Sequence, residues 1–149
     1  MATVELRFSA LPEHVRTARL VAAAVARRAG VDEAVLDEVR LAVGEACTRA
    51  VGLHQTNGVS APVRVVLTEE EKQFSIEVGD EAPHSGTSEG AVPGVRGSAD
   101  VLDAEGEGDE DQMGLAVIGG LVDDVEVTAD ESGGLIRMSW PKAPEPLLP

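Results

Sequence analysis

Residues 3–9 alternate in polarity, with Val4, Leu6 and Phe8 on one face and Glu5 and Arg7 on the other, which predicts a half-buried strand. Pro12 suits the first turn of a helix, the Ala-, Val- and Arg-rich run from Val15 to Ala29 propagates it, and Gly30 offers a left-handed stop. Asp32 can cap a second helix, where Leu36, Val39, Val43, Ala46 or Cys47, and Ala50 recur at helical spacing to about His54. Beyond a turn around Asn57-Gly58, Val63, Val65 and Leu67 alternate with Arg64, Val66 and Thr68. A charged turn over Glu69, Glu70, Glu71 and Lys72 then leads to Phe74, Ile76 and Val78, alternating with Ser75 and Glu77, which predicts an antiparallel hairpin.

From Gly79 to Gln112 the periodicity disappears. Gly and Pro punctuate the chain, and Asp100, Asp103, Glu105, Glu107, Asp109, Glu110 and Asp111 accumulate, so a long, mobile, acidic lid is expected over 80–112. Order is expected to resume at a short apolar helix near 113–121. Two strands follow, carrying Val125/Val127 and Ile136/Met138/Trp140 and joined by a Gly133-Gly134 turn, and the Pro-rich end over 141–149 is expected to fray. This order predicts a single domain over 1–149 of the α/β (α+β) class. Its architecture is a two-layer sandwich, a mostly antiparallel sheet covered on one face by helices.

Composition narrows the chemistry. The formal charge of −15 excludes a non-specific binder of phosphate backbones, so no direct nucleic-acid partner is expected. With 2% aromatic residues (Phe8, Phe74, Trp140) the core must be aliphatic, and base-stacking platforms are excluded. Cys47 stands alone, too few for an internal disulfide or a Cys-rich metal site; it reads as a small buried apolar residue in a reducing compartment. His14, His54 and His84 are scattered without metal-ligand spacing, and no Gly-x-Ser-x-Gly elbow marks a serine hydrolase. There is no basic, apolar leader and no run of 18 apolar residues, so a soluble cytoplasmic protein without membrane attachment is expected.

Three patches carry a resemblance: Leu41-Ala42-Val43-Gly44-Glu45-Ala46-Cys47-Thr48-Arg49-Ala50-Val51 on the second helix, Ile76-Glu77-Val78-Gly79-Asp80 at the end of a strand, and Met113-Gly114-Leu115-Ala116-Val117-Ile118 after the acidic run. In this order and spacing they resemble the GHKL (Bergerat-fold) ATPase group, in its bacterial anti-sigma factor and serine kinase branch, over about residues 3–140. The resemblance implies an ATP site in which Glu45 is the acid/base residue, Thr48 and Gly114 line the nucleotide, and Asp80 receives the adenine amino group. It also implies a partner face on the first helix, where Arg16 and Arg19 fall. Such relatives bind a sigma factor and an anti-anti-sigma protein.

The departures from the pattern bear on function. Arg49 stands where the family has the Asn that coordinates magnesium, and a guanidinium has five donors and no acceptor for a metal. Asp80 is followed by Glu81, Ala82 and Pro83 where the family has glycines that admit the nucleotide. His54 lies one residue past the place of a family His and is assigned no role. Local chemistry offers competing assignments: Glu45 and Arg49, at i and i+4, can simply pair on the helix; Arg49 can instead hold a phosphate; Asp80 can be a turn residue; and the arginines of the first helix can serve only to keep it wetted. The reading that follows is an anti-sigma-like regulator acting by protein binding, with ATP and Mg2+ binding and kinase activity weakened or lost. The alternatives are an active ATP-dependent serine kinase acting on an anti-anti-sigma partner, and a nucleotide-independent scaffold that forms a homodimer through the first strand and helices.

Overall fold

The computed structural model describes residues 2–83, 88–90, 117–120, 122 and 124–142. Its elements in chain order are β1 (Ala2–Phe8), α1 (Glu13–Ala29), α2 (Leu36–Thr56), β2 (Val63–Glu69), β3 (Gln73–Asp80), β4 (Ser88–Gly90), β5 (Asp124–Asp130) and β6 (Gly133–Pro141). The six strands form one sheet in the order β1-β2-β3-β6-β5-β4, with every neighbouring pair antiparallel. Both helices lie on one face, so the expected two-layer α/β sandwich is the observed one.

The helix boundaries follow from local chemistry. Gly30 ends α1 with φ +98°, its N–H bonding to Arg27 and that of Val31 reaching back 3.0 Å to the carbonyl of Ala26, a Schellman stop. Glu13 near the start of α1 and Arg27 and Arg28 in its last turn complement the helix dipole. The carboxylate of Asp32 accepts from the backbone N–H of Ala34 at 2.9 Å and starts a single 3-10 turn that runs into α2.

Period-2 alternation sets the register across the sheet. Leu6, Val65, Val78, Ile136 and Val127 line up from strand to strand as one inward row, and Val4, Leu67, Ile76, Met138 and Val125 as the next. These rows meet Ala18, Ala22 and Ala26 of α1 and Val39, Ala42, Val43 and Ala46 of α2 in a single core. The alanines let two helix backbones approach closely, so the near absence of aromatic bulk is matched by a thin, tightly packed helical layer. A third row, Asp80, Gly134 and Ala129, closes the sheet at the end where α2 finishes and puts the only carboxylate of these inward rows beside small residues.

Three expectations need correction. Ser88–Gly90, inside the expected lid, is the edge strand β4, paired with Thr128 and its neighbours on β5; a three-residue strand carries too little periodicity to register in the sequence. The β5–β6 turn is Glu131–Ser132, held by the Asp130 carboxylate accepting from the backbone N–H of Ser132 at 2.8 Å, and Gly133 and Gly134 already belong to β6. The first two residues of the expected tail are ordered: Pro141 closes β6, the Lys142 backbone N–H donates to the carbonyl of Lys72, and its ammonium reaches Glu69 at 2.9 Å. Gly114, the acidic run over 100–111 and residues 143–149 lie outside the described residues.

Candidate functional site

The C-terminal half of α2 faces the end of β3, and the site residues divide between two sides of that helix. On the side toward β3, Arg49 turns inward, with a side chain only 8% exposed, and places Nη1 3.9 Å from Oδ2 of Asp80, itself 3% exposed. That separation is an ion pair but too long for a hydrogen bond. The other carboxylate oxygen of Asp80 accepts from the backbone N–H of Ala82 at 3.0 Å. Arg49 Nε is buried and has no hydrogen-bond partner.

The pairing of Glu45 with Arg49 expected from their i, i+4 spacing does not form. Arg49 follows the buried stripe of Ala42, Ala46 and Ala50 inward, where Asp80 supplies the counter-charge that a buried guanidinium requires. Glu45 instead lies on the other side of α2, in a groove of about 510 Å³ lined by Glu13, Arg16, Arg19, Gly44 and Thr48 among others. The structure thus brings Glu45 and Thr48 of α2 together with Arg16 and Arg19 of α1, residues that the sequence keeps separate. An adjoining hollow of about 400 Å³ adds Asp37, Arg40 and Leu20 and shares Leu41 with the groove; Leu20 and Leu41 are 56% and 53% exposed. Among the described residues no carboxylate lies within ion-pair distance of Arg16 or Arg19.

His54 and Gly133 complete the site, and both escape the sequence reading. His54 is fully buried; its Nε2 accepts from the backbone N–H of Glu81 at 2.8 Å and its Nδ1 donates to the carbonyl of Ala61 at 2.9 Å, a neutral ring with the proton on Nδ1. It ties the end of α2 to the segment that leaves Asp80. The signal available in the sequence was its phase, one turn beyond Ala50 on the buried stripe. Gly133 has φ +152°, and a Cβ there would stand 2.3 Å from the carbonyl oxygen of Asp80, so only glycine lets β6 approach. Nothing local marks it, because the clash is with a residue 53 positions away in sequence.

The site's chemistry can be weighed against a magnesium-bound nucleotide. Arg49 presents only donors, and among the described residues no cluster of three or more His, Cys, Asp or Glu is placed to hold a metal. After Asp80, Ala82 is fully buried and Pro83 has no N–H to offer a phosphate. At the helix position, then, Arg49 supplies donors and no metal ligand.

Residues 8–140 match the family described as the histidine kinase-like ATPase domain. The chain belongs to that family. Within it, the chain is 28% identical over 131 residues to the anti-sigma F factor of Clostridium acetobutylicum, an alignment covering 88% of this chain and 87% of the relative. The structure of the RsbU and RsbW domains of Rv1364c from Mycobacterium tuberculosis superposes on it with a TM-score of 0.67 at 14% identity, which bears on the fold alone. That match takes in the whole of this chain and about a third of the larger protein (34%). The histidine kinase-like fold and the likeness to an anti-sigma factor agree with the three patches that carry the resemblance. Among the described residues no helix is long and apolar enough to cross a membrane.

Proposed function

We propose that this member of the family is an anti-sigma regulator that acts by binding a sigma factor or an anti-anti-sigma protein, with nucleotide binding and phosphoryl transfer weakened or lost. The observation that carries the reading is the groove between α1 and α2. On a chain of net charge −15 it gathers Arg16 and Arg19 beside Glu45 and Thr48, with the exposed Leu20 and Leu41 adjoining. Unpaired cations next to exposed apolar side chains are the composition of a protein-binding surface. The likeness to an anti-sigma F factor supports the identity of the partner class.

Arg49 supports the second half of the reading. Phosphoryl transfer depends on metal electrostatics and positioning, and a guanidinium committed to Asp80 supplies neither a metal ligand nor a free purine acceptor. The kinase alternative would use Glu45 as base, in a groove where Arg16 and Arg19 stand nearby.

The test is affinity purification of the tagged chain from its native cell, with Arg16→Ala/Arg19→Ala beside it. A sigma factor or anti-anti-sigma protein retained by the natural chain and lost from the variant is the expected result. An eluate holding neither protein refutes the reading, and Mg2+-dependent phosphorylation of a captured partner would establish the kinase.

A further inference from the structure

A cavity of about 590 Å³ opens at the end of the sheet where α2 begins, bounded by the β2–β3 turn, the first residue of β5 and the last residues of β6. That volume is in the range of small-molecule sites. Gln73 at one end of β3 lines it and Asp80 closes the other end, so about 23 Å of extended chain separates the cavity from the Arg49–Asp80 pair. It shares no lining residue with the groove between α1 and α2 or with its adjoining hollow.

The charges around this cavity do not balance. Glu38, Glu71 and Asp124 line it and, among the described residues, none of the three forms an ion pair. Lys72 is the lining cation that faces them, and Glu70 is already taken up by Gln73, Ser75 and Arg137 through its Oε2. Val35, Pro141 and Trp140 supply the apolar part of the lining. Trp140 is 3% exposed, and its Nε1 is buried with no hydrogen-bond partner. Buried indole N–H groups ordinarily find an acceptor, so this wall holds a donor that the chain leaves unsatisfied.

We propose that the cavity binds a small organic amine with an apolar body and a hydroxyl or carbonyl oxygen close to its ammonium. Each part answers one feature of the lining. The ammonium supplies the counter-charge that Glu38, Glu71 and Asp124 lack, the body covers Val35, Trp140 and Pro141, and the oxygen gives the indole N–H its acceptor. A cleft with an excess of one charge, on a chain of net charge −15, concentrates cations and repels anions.

The probe is 2-amino-1-phenylethanol, with two truncated forms beside it: 2-phenylethylamine, which lacks the oxygen, and 1-phenylethane-1,2-diol, which lacks the cation. Trp140 is the only tryptophan, so its emission reports on this cavity alone, and calorimetry gives the affinity. The natural chain is expected to bind the probe saturably, with a change in Trp140 emission, and to bind each truncated form about tenfold or more weakly. Glu38→Gln/Asp124→Asn is expected to weaken the probe by a similar factor, while Glu126→Gln/Glu131→Gln, which removes two exposed carboxylates outside the cavity, leaves it unchanged. A response that does not saturate, equal affinity for either truncated form, or equal weakening by both double variants overturns the proposal. Neither α1 nor the partner groove enters the measurement, so its outcome and that of the affinity purification are independent.

Discussion

Arg19 lies flat across Gly44: a Cβ on Gly44 would sit 2.8 Å from Arg19 Cδ and 3.4 Å from its Cγ. The glycine of α2 is therefore a slot that positions a cation of α1 in the groove beside Glu45 and Thr48. Gly44→Ala should separate stability from function. The better helix former contributes about 0.5–1 kcal/mol, while the flexible arginine stem is pushed aside at small cost. The expected outcome is an unchanged or raised urea midpoint together with weaker partner binding, and a variant that binds as well as the natural chain would show that the lie of Arg19 is immaterial.

Gly133 is constrained by both conformation and contact. Gly133→Ala places a Cβ 2.3 Å from a backbone oxygen that cannot swing away, at φ +152°. The expected loss is about 2–4 kcal/mol from strain and overpacking. Equilibrium urea unfolding measures it, with Gly120→Ala as the control, since a Cβ at Gly120 meets nothing within 4 Å among the described residues.

His54, itself buried, satisfies two part-buried backbone groups with one ring. His54→Leu fills much the same space but leaves the Ala61 carbonyl and the Glu81 N–H without this partner. A fully buried unsatisfied group costs about 1–3 kcal/mol, and these two are part-buried, so a total of about 1–3 kcal/mol is expected in chemical denaturation. A loss no larger than that of an exposed substitution would mean that water takes over both bonds.

Burial pushes the Cys47 thiol up to about 12, by desolvation of the thiolate. Near neutral pH the folded chain should resist an aromatic disulfide reagent, and one equivalent should react on addition of denaturant. Rapid labelling of the native protein would contradict the packing of α2.

Lys142, through its hydrogen bond and charge, holds the Glu69 carboxyl below its ordinary value. A lowered folded-state value means that the contribution is complete above the unfolded-state range and disappears as pH falls through the folded value. The Tm difference between the natural chain and Lys142→Met should accordingly be constant near neutral pH and shrink on acidification below about pH 4. A difference that grows on acidification would assign the effect to another group.

Periodicity is a local property, and the elements it marks were legible from it: the alternation in β1, β2, β3 and β6, the apolar stripe of α2, the Gly30 stop and the Asp32 cap. Their sum, an antiparallel sheet under two helices, follows because each amphipathic face has one way to be buried. Glu45, Arg49 and Asp80 stood out through the resemblance to the GHKL group and not through periodicity. Partnership is not local. Arg49 had a carboxylate within reach along its own helix in Glu45 and took Asp80, 31 positions away, because α2 turns it into the core and a buried cation goes to the charge that is buried with it. His54 received its role from the strand exit at Glu81, and Gly133 its necessity from a carbonyl brought against it by sheet register. The sequence by itself determined which faces are buried and which residue types stand at the family positions; only the tertiary structure decided which charges meet, since that depends on where helix phase and strand register deliver them.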